Sequence, residues 1–157
     1  METLFCVVLQ LGGTASGERL NPLSNYYFGG FGNNYVDDRE IKRYRDPFSM
    51  PGFRIDEISA RDFAKSVLEW NLPPKHFRNV GSPSFFLGSI RPALFVSVLR
   101  AEQGNGLDRT LTSIGAQVDF RFTLAHRLPM TFSVGYAAGY QSGTKLNDEW
   151  LISLKIL

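Results

Sequence analysis

The sequence is poor in the features that usually announce a function. Its 157 residues include one cysteine, Cys6, which excludes an internal disulfide and, having no ligand-like neighbours, offers no metal site. No apolar run approaches the roughly 20 residues that a membrane-spanning helix requires. Charge of one sign is also scarce: 17 Lys and Arg are interspersed with 15 Asp and Glu, for a net charge of +2 and no basic stripe, which argues against a nucleic-acid partner. The opening residues Met1-Glu2-Thr3-Leu4-Phe5 have neither a basic segment nor a small-residue cleavage site, so no export signal is expected in them. If the protein is exported, its signal is expected upstream, and the whole of 1–157 is then expected to be the C-terminal part of a longer chain.

What is present is apolar and aromatic content, 43% and 13%, with 15 glycines, arranged with a period of two. From Ile114 to Leu124, one face carries Ile114, Ala116, Val118, Phe120, Phe122 and Leu124, and the other Gly115, Gln117, Asp119, Arg121 and Thr123. Met130 to Tyr140 sets Phe132, Val134, Tyr136 and Tyr140 against the small, polar Thr131, Ser133, Gly135, Ala137 and Gly139. Asp62 to Leu72 repeats the scheme with opposite charges, Lys65 and Glu69, on its polar face. In Ser84 to Leu99 the even positions are non-polar, but Phe85, Leu87 and Phe95 interrupt the odd ones; Trp150 to Leu157 is a final strand, and Thr3 to Gly13 a first one of unreadable register. The chain is expected to be all-β, an antiparallel up-and-down sheet of six strands.

Turn segments fall alternately at two ends: Pro73 to Pro83 and Ala125 to Pro129 at one, Ala101 to Asp108 and Gln141 to Asp148 at the other. The exception is the stretch of about 45 residues from Ser16 to Arg61, rich in Gly, Asn, Asp, Arg and Pro; a connection that long is usually functional or disordered.

Alternation alone does not decide which face is wet, because a soluble barrel shows the same repeat turned inside out. Two features favour a transmembrane barrel. The best strands run to about 11 residues, the span of a tilted transmembrane strand. Aromatics also gather near strand ends, with Trp70, Phe85 and Phe86 beside one set of turns and Tyr136, Tyr140 and Trp150 beside the other, as two interfacial girdles would require. Lys65, Glu69, Arg91, Asp119 and Arg121 then face the lumen, where their mixed signs are expected to pair with one another. Arginine in place of Val118 or Val134 is expected to be costly, and in place of Gln117 or Ser133 much milder. Six strands fall short of the smallest barrels, with about eight, so an open sheet with unpaired edges is expected.

The segment Asn25-Tyr26-Tyr27-Phe28-Gly29-Gly30-Phe31-Gly32, followed by a long loop with Pro51-Gly52-Phe53, resembles the C-terminal barrel portion of the BamA-type bacterial surface-antigen superfamily. Leu68-Glu69-Trp70-Asn71-Leu72-Pro73, Arg91-Pro92-Ala93-Leu94-Phe95 and Ser113-Ile114-Gly115 through Asp119-Phe120-Arg121 are similar to the strands that follow that loop. The resemblance implies a sixteen-stranded outer-membrane barrel of a protein assembly or translocation pore. Its large extracellular loop folds into the lumen, with Pro51, Gly52, Phe53 and Arg54 at the tip. It implies as partners outer-membrane lipid, the N-terminal part of the barrel, and unfolded outer-membrane or secreted polypeptides. Two positions depart from the family pattern: Pro51 stands where the tip has an arginine, and Ser97 where the facing wall has an acid, leaving Arg54 as a substitute expected near Glu69 or Asp119. The C-terminus departs too, with Leu157 where a terminal Phe is usual.

No catalytic constellation is legible, and no cofactor is implied. Gly13-Thr14-Ala15-Ser16-Gly17 misses the nucleophile-elbow pattern at Thr14, His76 and His126 fall in separate turns, and Asp37, Asp38, Arg39, Glu40, Lys42, Arg43 and Arg45 read as a solvated charge run. Two functional classes stay open: a polypeptide assembly or translocation pore, and a barrel that anchors an upstream periplasmic or surface domain with no catalytic role of its own.

Overall fold

A computed structural model of the protein describes residues 4–12, 25–31, 41–78, 80–82, 84–102, 108–125 and 127–156. Ten strands run through them: β1 (Leu4–Gly12), β2 (Tyr26–Phe28), β3 (Ile58–Ala60), β4 (Asp62–Asn71), β5 (Lys75–His76), β6 (Gly81–Ser82), β7 (Phe85–Glu102), β8 (Asp108–Leu124), β9 (Leu128–Gln141) and β10 (Thr144–Ile156). The fold is all-β. Six long strands form one antiparallel up-and-down sheet in the order β1-β4-β7-β8-β9-β10, with β5 and β6 pairing β7 beyond the end of β4 and with β2 and β3 forming a separate ribbon inside the long loop. Among the described residues β1 and β10 are the edges of the sheet, each hydrogen-bonded to one neighbour. No described helix is long and apolar enough to cross a membrane, which says nothing about crossing by strands.

The register is stepped. One cross-strand row runs Leu4, Asn71, Ala93, Gln117, Gly135, Leu151, so it passes through the first residue of β1 but only the middle of β7 to β10. Such a stagger is what strands inclined to a common axis require. Pro92 fits within an interior strand for a local reason. Its carbonyl accepts from the Leu72 N–H at 3.1 Å, so its ring nitrogen faces the same side, just past the last β4 pairing at Asn71↔Ala93, where no ladder bond is lost.

The strands are longer than the alternation indicates. β10 begins at Thr144, so the expected turn from Gln141 to Asp148 shrinks to Ser142-Gly143, both at positive φ (50° and 85°) as a tight two-residue hairpin demands. Trp150 consequently sits mid-strand, cross-strand from Tyr136 with ring centroids 4.9 Å apart, and not beside a turn; Trp70 and Phe86 do lie near strand ends, and Tyr140 is next to the last residue of β9.

The two faces of the sheet have opposite chemistry and opposite exposure. Leu68, Trp70, Leu94, Val98, Ile114, Ile152 and Leu154 are exposed. Lys65, Glu69, Ser97, Ser113, Gln117, Asp119, Thr131 and Ser133, on the other face, are all buried. A sheet of a water-soluble core would bury the first set and expose the second.

Candidate functional site: the long loop on the polar wall

What buries the polar face is the long loop. It leaves the sheet near Gly12, returns at Asp62, and between them reaches as far as Asn71, the whole of β4, roughly 30 Å at about 3.3 Å per residue. Near its root, Phe28, Met50, Phe53, Ile58 and Ala60 pack on Leu99, Ala101 and Leu111 of the wall. Further along, Phe31 and Tyr44 meet Ala93, Phe95 and Ala137, and the Tyr44 ring stacks on Phe95 with centroids 4.1 Å apart. Burial, followed by the Glu69 carboxylate, pushes the Tyr44 hydroxyl far above its ordinary ionisation range, so the phenol is neutral wherever the protein is folded.

The tip is seated on a recess of small residues. Gly52 has φ +85°, a conformation that disfavours any side chain, and a Cβ on Gly139 opposite would stand 2.5 Å from the Gly52 carbonyl oxygen and 2.8 Å from the Phe53 ring. Ser113 donates its hydroxyl to the Pro51 carbonyl. Glu149 on edge strand β10 accepts from two loop amides, Phe31 N–H at 3.2 Å and Gly52 N–H at 3.1 Å, one per carboxylate oxygen.

Charged contacts hold the middle of the loop. The ammonium of Lys65, 2% exposed, donates to the carbonyls of Asp46, Pro47 and Ser49, which uses all three of its donors. Glu69, 3% exposed, takes a two-pronged contact from Arg45 (Nε to Oε2 and Nη2 to Oε1, both 2.7 Å) and a third bond from Lys42 Nζ at 2.8 Å. Lys42 also donates to Asn71 Oδ1. On β8, Gln117 donates to the Ile41 carbonyl at 3.1 Å and to Asp119 Oδ1 at 2.7 Å, and Ser133 donates to the same oxygen.

The expected site residues therefore share one face but do not pair with one another. Lys65 and Glu69 bind the loop, Asp119 is held by neutral donors, and Arg91 and Arg121 are exposed beyond the loop's reach. Arg54 is not the substitute: it is exposed, its backbone N–H donates to Glu57, and Glu69 is occupied by Lys42 and Arg45. Ser97, where an acid was missed, is fully buried. Loop and wall do form an ion pair, at another level: the side chains that reach Glu69 come from the 3-10 turn Arg43–Arg45 and its flank. Lys42 and Arg45 are thus bound to the wall at Glu69, while Asp37, Asp38, Arg39 and Glu40 of the same run lie outside the described residues.

Sequence reasoning missed Lys42, Tyr44, Arg45 and Glu149. A signal for the wall side existed: Phe95 and Leu99, the apolar intruders on the polar face, mark where the loop packs. No described group of three or more His, Cys, Asp or Glu side chains is placed to hold a metal ion; His76 is exposed on β5, and His126 and the stretch 13–17 lie outside the described residues. Set against family models, curated proteins and solved structures, the chain matches none.

Proposed function

We propose that this chain is part of a bacterial outer-membrane β-barrel whose lumen is occupied by the long loop, and that the parent protein is an assembly or translocation pore for polypeptides. The observation that carries the reading is the inversion of the sheet: its apolar face is exposed while its polar face is buried under its own loop. Lipid is the surrounding that suits an exposed band of Leu, Val, Ile and Trp on strands of this length. Further strands of the same barrel suit the two edges, since unpaired backbone groups in hydrocarbon are strongly disfavoured. The polypeptide-handling part rests on the resemblance of the Gly-Gly segment, the Gly52-Phe53 tip and the following strands to BamA-type barrels. Seating of that tip on the wall fits the same reading.

The alternative, an anchor for an upstream domain, draws on Pro51 and Ser97, which replace the arginine and acid of the family's loop-to-wall pair. The two separate in one experiment. The full-length gene product containing this chain is reconstituted in liposomes and supplied with an unfolded outer-membrane protein. A pore of the assembly type accelerates folding of that substrate, read as heat-modifiable migration on gels. No acceleration, with normal insertion of the barrel itself, overturns the assembly reading and leaves the anchor.

A further inference from the structure

Beyond the lower end of the loop the polar face opens into a cavity of about 370 Å³. Four cations line it, Lys42 and Arg45 from the loop and Arg91 and Arg121 from the wall, with Asp119 as the acid among the lining side chains. Among the described residues Lys42 and Arg45 are paired with Glu69, whereas Arg91 and Arg121 are exposed and without an ion pair. Asp119 stands cross-strand from Arg91, but its Oδ1 is already bonded to Gln117 and Ser133.

The register sets the two guanidiniums as a pair. Arg91 faces Asp119 and Ser89 faces Arg121 across β7 and β8, so Arg91 and Arg121 are diagonal neighbours, a pairing whose usual spacing is roughly 7–8 Å and somewhat less between Cβ atoms. Next to them, cross-strand from Arg121, Thr131 is 2% exposed, lines the cavity, and its hydroxyl is buried with no hydrogen-bond partner. A buried hydroxyl is normally satisfied, and an unpartnered one beside two guanidiniums without an ion pair suits an acceptor with several oxygens. The other wall is apolar, formed by Leu4, Ile41, Leu72 and Pro92.

We infer that this cavity is a phosphate-binding site, in which Arg91 and Arg121 take the phosphoryl oxygens in forked contacts and the Thr131 hydroxyl donates to one of them. Arginine suits this because its planar fork matches phosphate geometry in a way an ammonium does not. The phosphate belongs either to a free anion or to the headgroup of a lipid whose first carbons lie along the apolar wall. Neither source depends on whether the parent barrel handles polypeptides.

The test uses the full-length gene product in a phosphate-free maltoside detergent, titrated with inorganic phosphate and, separately, with dihexanoyl-phosphatidic acid, with binding read by calorimetry. Saturable binding is expected in the wild type, weakened about tenfold or more in R91Q/R121Q and less in T131V. R91K/R121K keeps the charge and the packing but loses the forks, and its affinity is expected to fall as well; it serves if the glutamine variant does not fold. Tighter binding of phosphatidic acid by roughly tenfold assigns the site to a lipid headgroup, and equal affinities assign it to a free phosphate. No saturable binding of either probe by the wild type, or unchanged affinity in both arginine variants, overturns the inference.

Discussion

The two faces of this sheet are built by the same strands, residue by residue in alternation, yet they are stabilised in unlike ways. The outward face, with Leu94, Val98 and Ile114 exposed, has no protein partner among the described residues and depends on whatever medium surrounds it. The inward face is polar and nevertheless buried, because a single loop lies on it and supplies partners for several of its groups: carbonyls for Lys65, cations for Glu69, amides for Glu149, aromatic rings for Gly135 and Gly139. Exposure of an apolar face is tolerable in lipid, whereas burial of a polar face is tolerable only where its hydrogen bonds are met. The difference teaches that period-two alternation reports chemistry, and that burial is decided by what lies against each face.

The sharpest way to break the inward face is Glu69→Ala, which takes from Lys42 and Arg45 the carboxylate they share on the wall. Loss of one partner of a buried pair costs about 3–5 kcal/mol, and the low end applies here because the Arg45 side chain is 37% exposed. Urea unfolding in lipid bilayers checks the magnitude, and new proteolytic cleavage within 41–50 checks the mechanism; a loop that stays protected means that this pair does not hold it. The outward face is challenged by Val118→Arg, expected to destabilise the bilayer-inserted protein by about 2–4 kcal/mol if Val118 lies near the midplane. Insertion with unchanged stability contradicts a lipid-facing Val118. Gln117→Arg is no mild control, contrary to the sequence-based expectation, since Gln117 is fully buried and bonded to Ile41 and Asp119.

Smaller changes sharpen the contrast. Gly139→Val drives a side chain into the Gly52 carbonyl and the Phe53 ring, and overpacking of this kind costs roughly 1–3 kcal/mol. Its signature is loss of cross-linking between cysteines placed at Phe53 and Leu111 in a Cys6→Ser background, with the sheet itself intact. Glu149→Gln removes the charge from the carboxylate that grips Phe31 and Gly52 but keeps one acceptor oxygen, for an expected loss of about 1 kcal/mol. A loss as large as that of Glu69→Ala would mean that the tip, and not the Lys42 and Arg45 contact, is the main attachment of the loop.

The six long strands and their order were legible in the sequence and so, apart from β1, whose two sides are both apolar, was the composition of each face, because side chains alternate strictly along an extended backbone. The ends of the strands were not. Asn147 and Asp148 read as a turn and the last strand reads as beginning at Trp150, although Glu149 is a strand residue whose carboxylate meets two loop amides 97 and 118 residues away. The same reason hid the site. Lys42 and Arg45 look like any charged loop residues until the chain brings them to Glu69, and Arg54, adjacent to the tip in sequence, turns away from the wall. Local pattern determines which residues share a face of a strand. Which residue meets which across a loop of about 45 positions depends on packing and hydrogen-bond satisfaction in three dimensions, and only the tertiary structure decided it.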